Sequence, residues 1–368
     1  MAYDQTQEMF LLALSSHAGA ECIGPEPQMI HCVESRIQAL LGQWSLTDWQ
    51  IVWGPGVALA PTRHEIPTQY PSSDYPANVM YAAYREADAA LCISISATND
   101  LSGYDVEEDF RVHELLPWPY APPDSQPLPQ ISQGFYLALD LLRDMRPGKT
   151  EEEVELPGFN KTLPEWLGEF ISEHPKLSLI TAGQSLGGVL APIVALWLWE
   201  TQSDWNPQGA VLPEQFSCWR FAAPTPGDRA FAQYYNERLP ATTNVINHRD
   251  FAPKMFDEET LREILDLYLP FAPGLRMTGV IDFFRLAVAG KGYTQPGSVS
   301  PRSFNAPVAD LPRAINECLE FTNQMGYHHL LAYFHGLGLE EQITDGLVDA
   351  YHQFNNLCER PFVAAKPS

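Results

Sequence analysis

The sequence predicts an α/β protein with a mostly parallel central sheet and helices on both faces. Three observations carry that expectation. Short strand-like runs alternate with helical patterns along the chain, the ordering expected of strand–helix–strand units. One strand passes straight into a helix through the turn Gly183-Gln184-Ser185-Leu186-Gly187. The chain has 368 residues, 45% hydrophobic and 18% charged, enough to bury a sizeable core. No internal repeat or low-complexity linker divides it, and the candidate functional residues run from the middle to near the C-terminus. Residues 1–368 therefore read as a single domain, with a largely helical insertion at about 254–304.

The elements follow in order. Residues 5–16 and 28–42 read as helices. Met9 to Ala20 has a short apolar centre and small residues at its end, but Asp4 and Glu8 precede it where a signal peptide would carry basic residues. It is read as an opening helix. Residues 49–57 and 78–83 look like strands separated by a proline-rich loop, and residues 89–97 alternate apolar and small side chains as a strand does. Residues 103–130 form a proline- and acid-rich connection. Residues 134–146 and 163–174 are amphipathic helices. Residues 176–181 lead as a strand into the turn, 218–222 and 243–247 are further strands, 257–289 is largely helical, and 311–337 holds two helical stretches around Gly326. The 32 prolines lie in segments rich in Trp and Tyr, which suggests ordered loops rather than disorder.

The net charge of −24 argues against nucleic acid as a partner and against docking on anionic lipid. Six cysteines lie far apart with no CxxC pair, so thiolate metal binding is not expected. Cys92 and Cys218 fall inside strands and read as buried apolar residues. Cys22 and Cys32 lie within reach of a pairing that spacing alone does not decide. No apolar run reaches membrane-spanning length. Without a convincing signal the default compartment is the cytoplasm, with secretion as the alternative.

The chemistry concentrates at the turn. Apolar residues before Gly183 and the run Val189, Leu190, Ile193, Val194, Leu196, Trp197 after it give strand, sharp turn and helix, the context in which a serine becomes a nucleophile. Gly183 and Gly187 are needed because side chains there would collide across the elbow. The helix aims free amides and its positive dipole end at the reacting oxygen. Ser185 needs a base and an acid. In this strand–turn–helix architecture the acid follows the serine at the end of a later strand, and the histidine comes last. Asp250, after the short strand ending near Asn247 and before Pro253, fits the acid. Asp228 is the rival but sits where it would cap the helix beginning at Arg229. The base must follow Asp250, leaving His328, His329, His335 and His352. The adjacent pair His328 and His329, just past Gly326, is the expected locus. An oxyanion hole needs two backbone donors. The amide of Leu186 is one, and the turn Ser96-Ala97-Thr98-Asn99 is the candidate for the other.

Together these segments resemble the class 3, or fungal-type, lipase family of α/β-hydrolases. Thr181 to Gly188 is similar to the family's elbow, except that Gln184 stands where His is usual. Ile95-Ser96-Ala97-Thr98 falls where the family carries Phe-Arg-Gly-Thr, keeping only the threonine. Ile131 to Tyr136 is similar to Val-His-x-Gly-Phe, and Phe221 to Asp228 is similar to Phe-Gly-x-Pro-x-x-Gly-Asn. Asp250-Phe251-Ala252-Pro253 matches Asp-x-Val-Pro with Ala for Val. Gly326 to Tyr333 resembles Gly-Tyr-Gln-His-x-x-Ala-Tyr of bacterial members, which places the base at His329; the longer spacing of plant-like members would select His328.

The resemblance runs from about Trp53 to Leu337 and implies an α/β-hydrolase fold acting without cofactor or metal. It implies acyl transfer to Ser185, with His329 as base, Asp250 as its partner, and Thr98 and Leu186 at the oxyanion. It also implies a segment covering the site. Residues 101–130, with Leu115, Leu116, Trp118 and Tyr120, and the insertion 254–304, with Leu265, Leu269, Phe271, Phe283 and Phe284, are the two candidate helical lids unless their apolar groups pack on the body. The expected activity is hydrolysis of acylglycerol esters, a triacylglycerol lipase. The alternatives are a soluble-ester carboxylesterase, a phospholipase A1, an acyltransferase, or a binding protein on the same scaffold. The expected partner is a lipid or ester small molecule, with no nucleic acid.

Overall fold

The computed structural model describes residues 3–20, 22–59, 76–97, 111–206, 213–355 and 358. Its strands are β1 (Gln50–Leu59), β2 (Pro76–Arg85), β3 (Ala90–Ala97), β4 (Leu115–Pro117), β5 (Gln130–Ser132), β6 (Ser178–Gln184), β7 (Phe216–Phe221), β8 (Thr242–Val245) and β9 (Ser298–Val299). Seven of these form one sheet in the order β1-β2-β3-β6-β7-β8-β9, and β4 pairs with β5 apart from it. From β3 to β9 every pairing is parallel, whereas β1–β2 and β2–β3 are antiparallel. The antiparallel end has a simple cause. β2 and β3 are joined only by the turn Glu86–Asp88 and Ala89, which is too short for the crossover a parallel pair requires.

The principal helices are α1 (Gln5–Ser15), α2 (Glu26–Gln43), α3 (Gln133–Asp144), α4 (Leu163–Glu173), α5 (Leu186–Glu200), α6 (Arg229–Arg238), α7 (Gly274–Val288), α8 (Glu317–Gly326) and α9 (Ala332–Leu337). The pleat sorts side chains between two cores, because successive residues of a strand point to opposite faces. Leu91, Ile93 and Leu179 join the core built with α3, α4 and α5, while Cys92, Ile180 and Ala182 join the core built with α1, α2 and α9. Helix α5 is apolar on all sides because residues 186–198 are buried throughout.

The opening segment is integral to the second core. Asp4 and Gln7 form a reciprocal capping box at the start of α1, and residues 9–15 are buried. Phe10 packs on Phe221, Tyr333 and Phe334. A disulfide, Cys22–Cys32, ties the turn after α1 to α2, closing the pairing that spacing left open. A second, Cys318–Cys358, joins α8 to the C-terminal region. Cys92 and Cys218 are free and buried, as read.

Residues 101–110 of the first candidate cover lie outside the described residues; most of the described apolar residues of the two covers pack on the body. Trp118 is buried against Phe231, and Phe284 is buried against Phe256. The insertion is less helical than expected. Between the turn Leu261–Asp266 and α7 the chain is irregular, with Leu269-Pro270 and Pro273 interrupting any helical run. Leu269, Leu275 and Leu286 remain exposed, at 60%, 95% and 78%. Among the described residues no helix is long and apolar enough to cross a membrane.

Candidate active site

The elbow sits where β6 ends and α5 begins, between β3 and β7. Ser185 has φ 57° and ψ −127°, a conformation rare for a side-chain-bearing residue and held here by its surroundings. Its amide donates to the Phe221 carbonyl at 2.9 Å. The two flanking glycines are required by contact. A Cβ on Gly183 would lie 2.1 Å from the Gly187 carbonyl oxygen, and one on Gly187 would lie 2.1 Å from the Ile95 oxygen. The second of these shows how closely the start of α5 approaches the end of β3. The Leu186 amide, in the first turn of α5, has no intrahelical acceptor and is free to face an anion. Thr98, expected as the second donor, lies outside the described residues.

Ser185, His329 and Asp250 come together. Ser185 Oγ is 2.8 Å from His329 Nε2. His329 Nδ1 is 3.0 and 3.1 Å from the two Asp250 carboxylate oxygens. That geometry assigns the tautomer: Nδ1–H donates to the carboxylate, leaving the Nε2 lone pair to accept the serine hydroxyl. Asp250 is fully buried, and donors hold it in place. The Ala252 amide donates to Oδ1 at 3.0 Å, and the Tyr333 hydroxyl donates to Oδ2 at 2.9 Å. The Tyr333 hydroxyl in turn accepts from the Asn247 amide at 3.0 Å. Burial, then the neighbouring Asp250, raises the Tyr333 pKa well above the usual phenol value, so it stays a donor.

The rivals are placed elsewhere. A single π turn, Tyr327–Leu331, carries both histidines and sends them to different surroundings. His328 is fully buried, accepts from Asn247 Nδ2 at 3.1 Å and stacks on Tyr268 at 5.3 Å. Burial, with Arg249 nearby, pushes its pKa down to about 3. Asp228 caps α6, accepting from the Phe231 amide at 2.7 Å. His335 lies 3.7 Å from Glu340, and His352 bonds Asn323.

Three further groups crowd the site, and the motif reading passed over them. Gln184, singled out only as a departure, donates to the His329 carbonyl at 3.1 Å and lies 3.5 Å from His329 Nε2. His17, from the turn after α1, packs near the Gln184 main chain and His329. Burial holds its pKa at about 4, and among the described residues its Nε2 has no partner. Phe251 faces the His329 ring at 5.2 Å. Only Tyr333 was legible locally, four residues after His329 and so on the same side of the helix. Among the described residues no cluster of His, Cys, Asp and Glu is arranged to hold a metal.

The arrangement can deprotonate a serine hydroxyl, with a buried carboxylate stabilising the imidazolium that results. Residues 93–260 match the class 3 lipase family. In structure the chain is similar to M37 lipase, with a TM-score of 0.73 and 24% identity over 96% of this chain and 98% of that one. It also aligns with lipase II from Rhizopus niveus (TM-score 0.40, 15% identity, 68% of this chain and 74% of that one). A lipase from Rhizopus microsporus var. chinensis aligns with a TM-score of 0.42 and 13% identity over 69% of each chain. No curated protein sequence matches.

Proposed function

We propose that this chain, whose residues 93–260 match the class 3 lipase family, hydrolyses acylglycerol esters by acyl transfer to Ser185. One observation carries the reading: a serine on an elbow, 2.8 Å from an imidazole whose other nitrogen is 3.0 Å from a buried carboxylate.

The chemistry follows from those contacts. His329 Nε2 takes the Ser185 proton as Oγ bonds to the ester carbonyl carbon. The oxygen of that carbonyl becomes an oxyanion, held by the Leu186 amide, by the positive end of α5 and by Thr98 as second donor. Asp250 keeps the imidazolium oriented without taking its proton. The imidazolium then protonates the departing alcohol and the carbonyl re-forms as an acyl-serine. Water, deprotonated by His329, releases the acid. The net charge of −24 supports an uncharged ester substrate over nucleic acid or anionic lipid. The two disulfides favour an oxidising compartment, and hence secretion, over the cytoplasmic default.

The test of substrate class is hydrolysis of tributyrin and p-nitrophenyl esters of rising chain length. A lipase shows a rate jump when substrate passes its solubility limit. A smooth saturation curve, with no activity on the long-chain ester, would replace the lipase reading with that of a soluble-ester carboxylesterase.

A further inference from the structure

The C-terminal arm returns to the base. After α9 the chain turns back, and the helical turn Tyr351–Asn355 packs along α8, the helix that leads into the π turn carrying His329. Four ties hold it there. Thr322 donates to Asn355 Oδ1 at 2.9 Å, and His352 Nδ1 bonds Asn323 at 2.9 Å. Arg276, from α7, donates to the Cys358 carbonyl. The Cys318–Cys358 disulfide fixes the end of the arm to the start of α8. Of the described side chains in the turn Tyr351–Asn355, His352 and Asn355 are held by these ties, and Phe354 is apolar. The Phe354 ring meets His329 and Phe251 in T-shaped contacts, with centroids 5.6 and 5.1 Å apart.

We infer that Phe354 is a positioning residue for His329, held in place by the Cys318–Cys358 staple. The imidazole is 2% exposed, and it is packed by Phe251 from the acid loop and by Phe354 from the arm. A charge-separated Asp250–His329 pair forms in each acyl transfer and is better stabilised by fixed neighbours than by mobile water. A short arm that loses backbone freedom must be tied to stay ordered, and a cross-link limits the freedom available to it when undocked. The arm, like His329 itself, lies outside the matched residues 93–260. The inference rests on the reading of His329 as base.

The test compares wild type, Phe354→Ala, Phe354→Leu, the double variant Cys318→Ser/Cys358→Ser, and the triple variant adding Phe354→Ala. Steady-state kinetics on p-nitrophenyl butyrate are read beside a thermal melt, with Ser185→Ala as background. The expected result is a fall in kcat on the order of tenfold for Phe354→Ala and for the serine pair, with KM little changed. The triple variant should be no worse than either, and Phe354→Leu should recover most of the rate. Wild-type kcat in Phe354→Ala or in the serine pair would overturn the inference. A loss confined to KM would overturn it too, placing Phe354 on the acyl path instead. So would losses that simply multiply in the triple variant. Activity surviving in Ser185→Ala would sink the acyl-serine reading itself, a separate failure.

Discussion

At the residue scale the account turns on how one imidazole is held. His329 is fixed through both ring nitrogens, through its carbonyl by Gln184, and on its faces by aromatic rings. Its neighbour His328 has the same side chain and is spent on packing against Tyr268 and Asn247. Gln184→Met keeps the volume of the side chain and removes the donor. It is expected to lower kcat by about tenfold at similar KM, since small displacements of a catalytic group cost that much or more. Stopped-assay kinetics with a soluble ester check this, and an unchanged kcat would make Gln184 a packing residue only. The three residues that the structure brings together, Ser185, Asp250 and His329, were legible because elbow, acid turn and histidine locus each carry a local signature. Choosing His329 over His328 needed the spacing of a family motif, since adjacency in sequence says nothing about which ring a π turn sends to the serine. His17 and Phe354 were illegible, because no local motif marks either: His17 reaches His329 from the opposite end of the chain, and Phe354 reaches it only through the fold-back of the arm onto α8.

At the element scale the elbow depends on close packing of the start of α5 against the end of β3, and the insertion supplies an outer face. On α7 the buried residues Met277, Val280, Ile281, Phe284 and Val288 face the body, whereas Leu275 and Leu286 lie three turns apart on the outside. Exposed leucines at 95% and 78% on a helix packed against α8 suit a lipid interface. The double substitution Leu275→Glu/Leu286→Glu is expected to leave hydrolysis of a soluble ester within about twofold, because surface positions contribute little to stability. It should cut the rate on an emulsion severalfold. Equal rates on the emulsion would show that this face meets no interface. Periodicity announced the strands and amphipathic helices well. It says nothing of strand direction: the antiparallel pairing of β2 with β3 follows from the short turn between them rather than from any side chain. It also overstated the insertion, where apolar residues fill a core from irregular backbone and so mimic a helical pattern.

At the scale of the molecule, two cores on either side of one sheet hold the site at its C-terminal edge, the usual place for a ligand in an open α/β sheet. The fold also hides two neutral histidines, with consequences for acid stability. The pKa of His17 lies near 4 and that of His328 near 3, both pushed down by burial from the ordinary value near 6.5. An unfolded chain takes up those protons as pH falls through about 6.5, whereas the folded chain does not. Stability from neutral burial is therefore complete above about pH 6.5 and declines as pH falls toward 4 for His17 and 3 for His328. Each group contributes a slope of up to about 1.4 kcal/mol per pH unit. Urea unfolding at pH 7, 6 and 5 should show a falling midpoint, and a flat midpoint would mean that the two rings are less secluded than described. Fold class was legible from composition and alternation, and the class 3 lipase resemblance pointed to the same architecture. The central claim remains the serine. Its most direct test is hydrolysis of p-nitrophenyl butyrate by wild type and by folded Ser185→Ala and His329→Ala. The account predicts ready turnover by wild type and losses on the order of 10⁴-fold or more in both variants. Activity persisting in Ser185→Ala would contradict it.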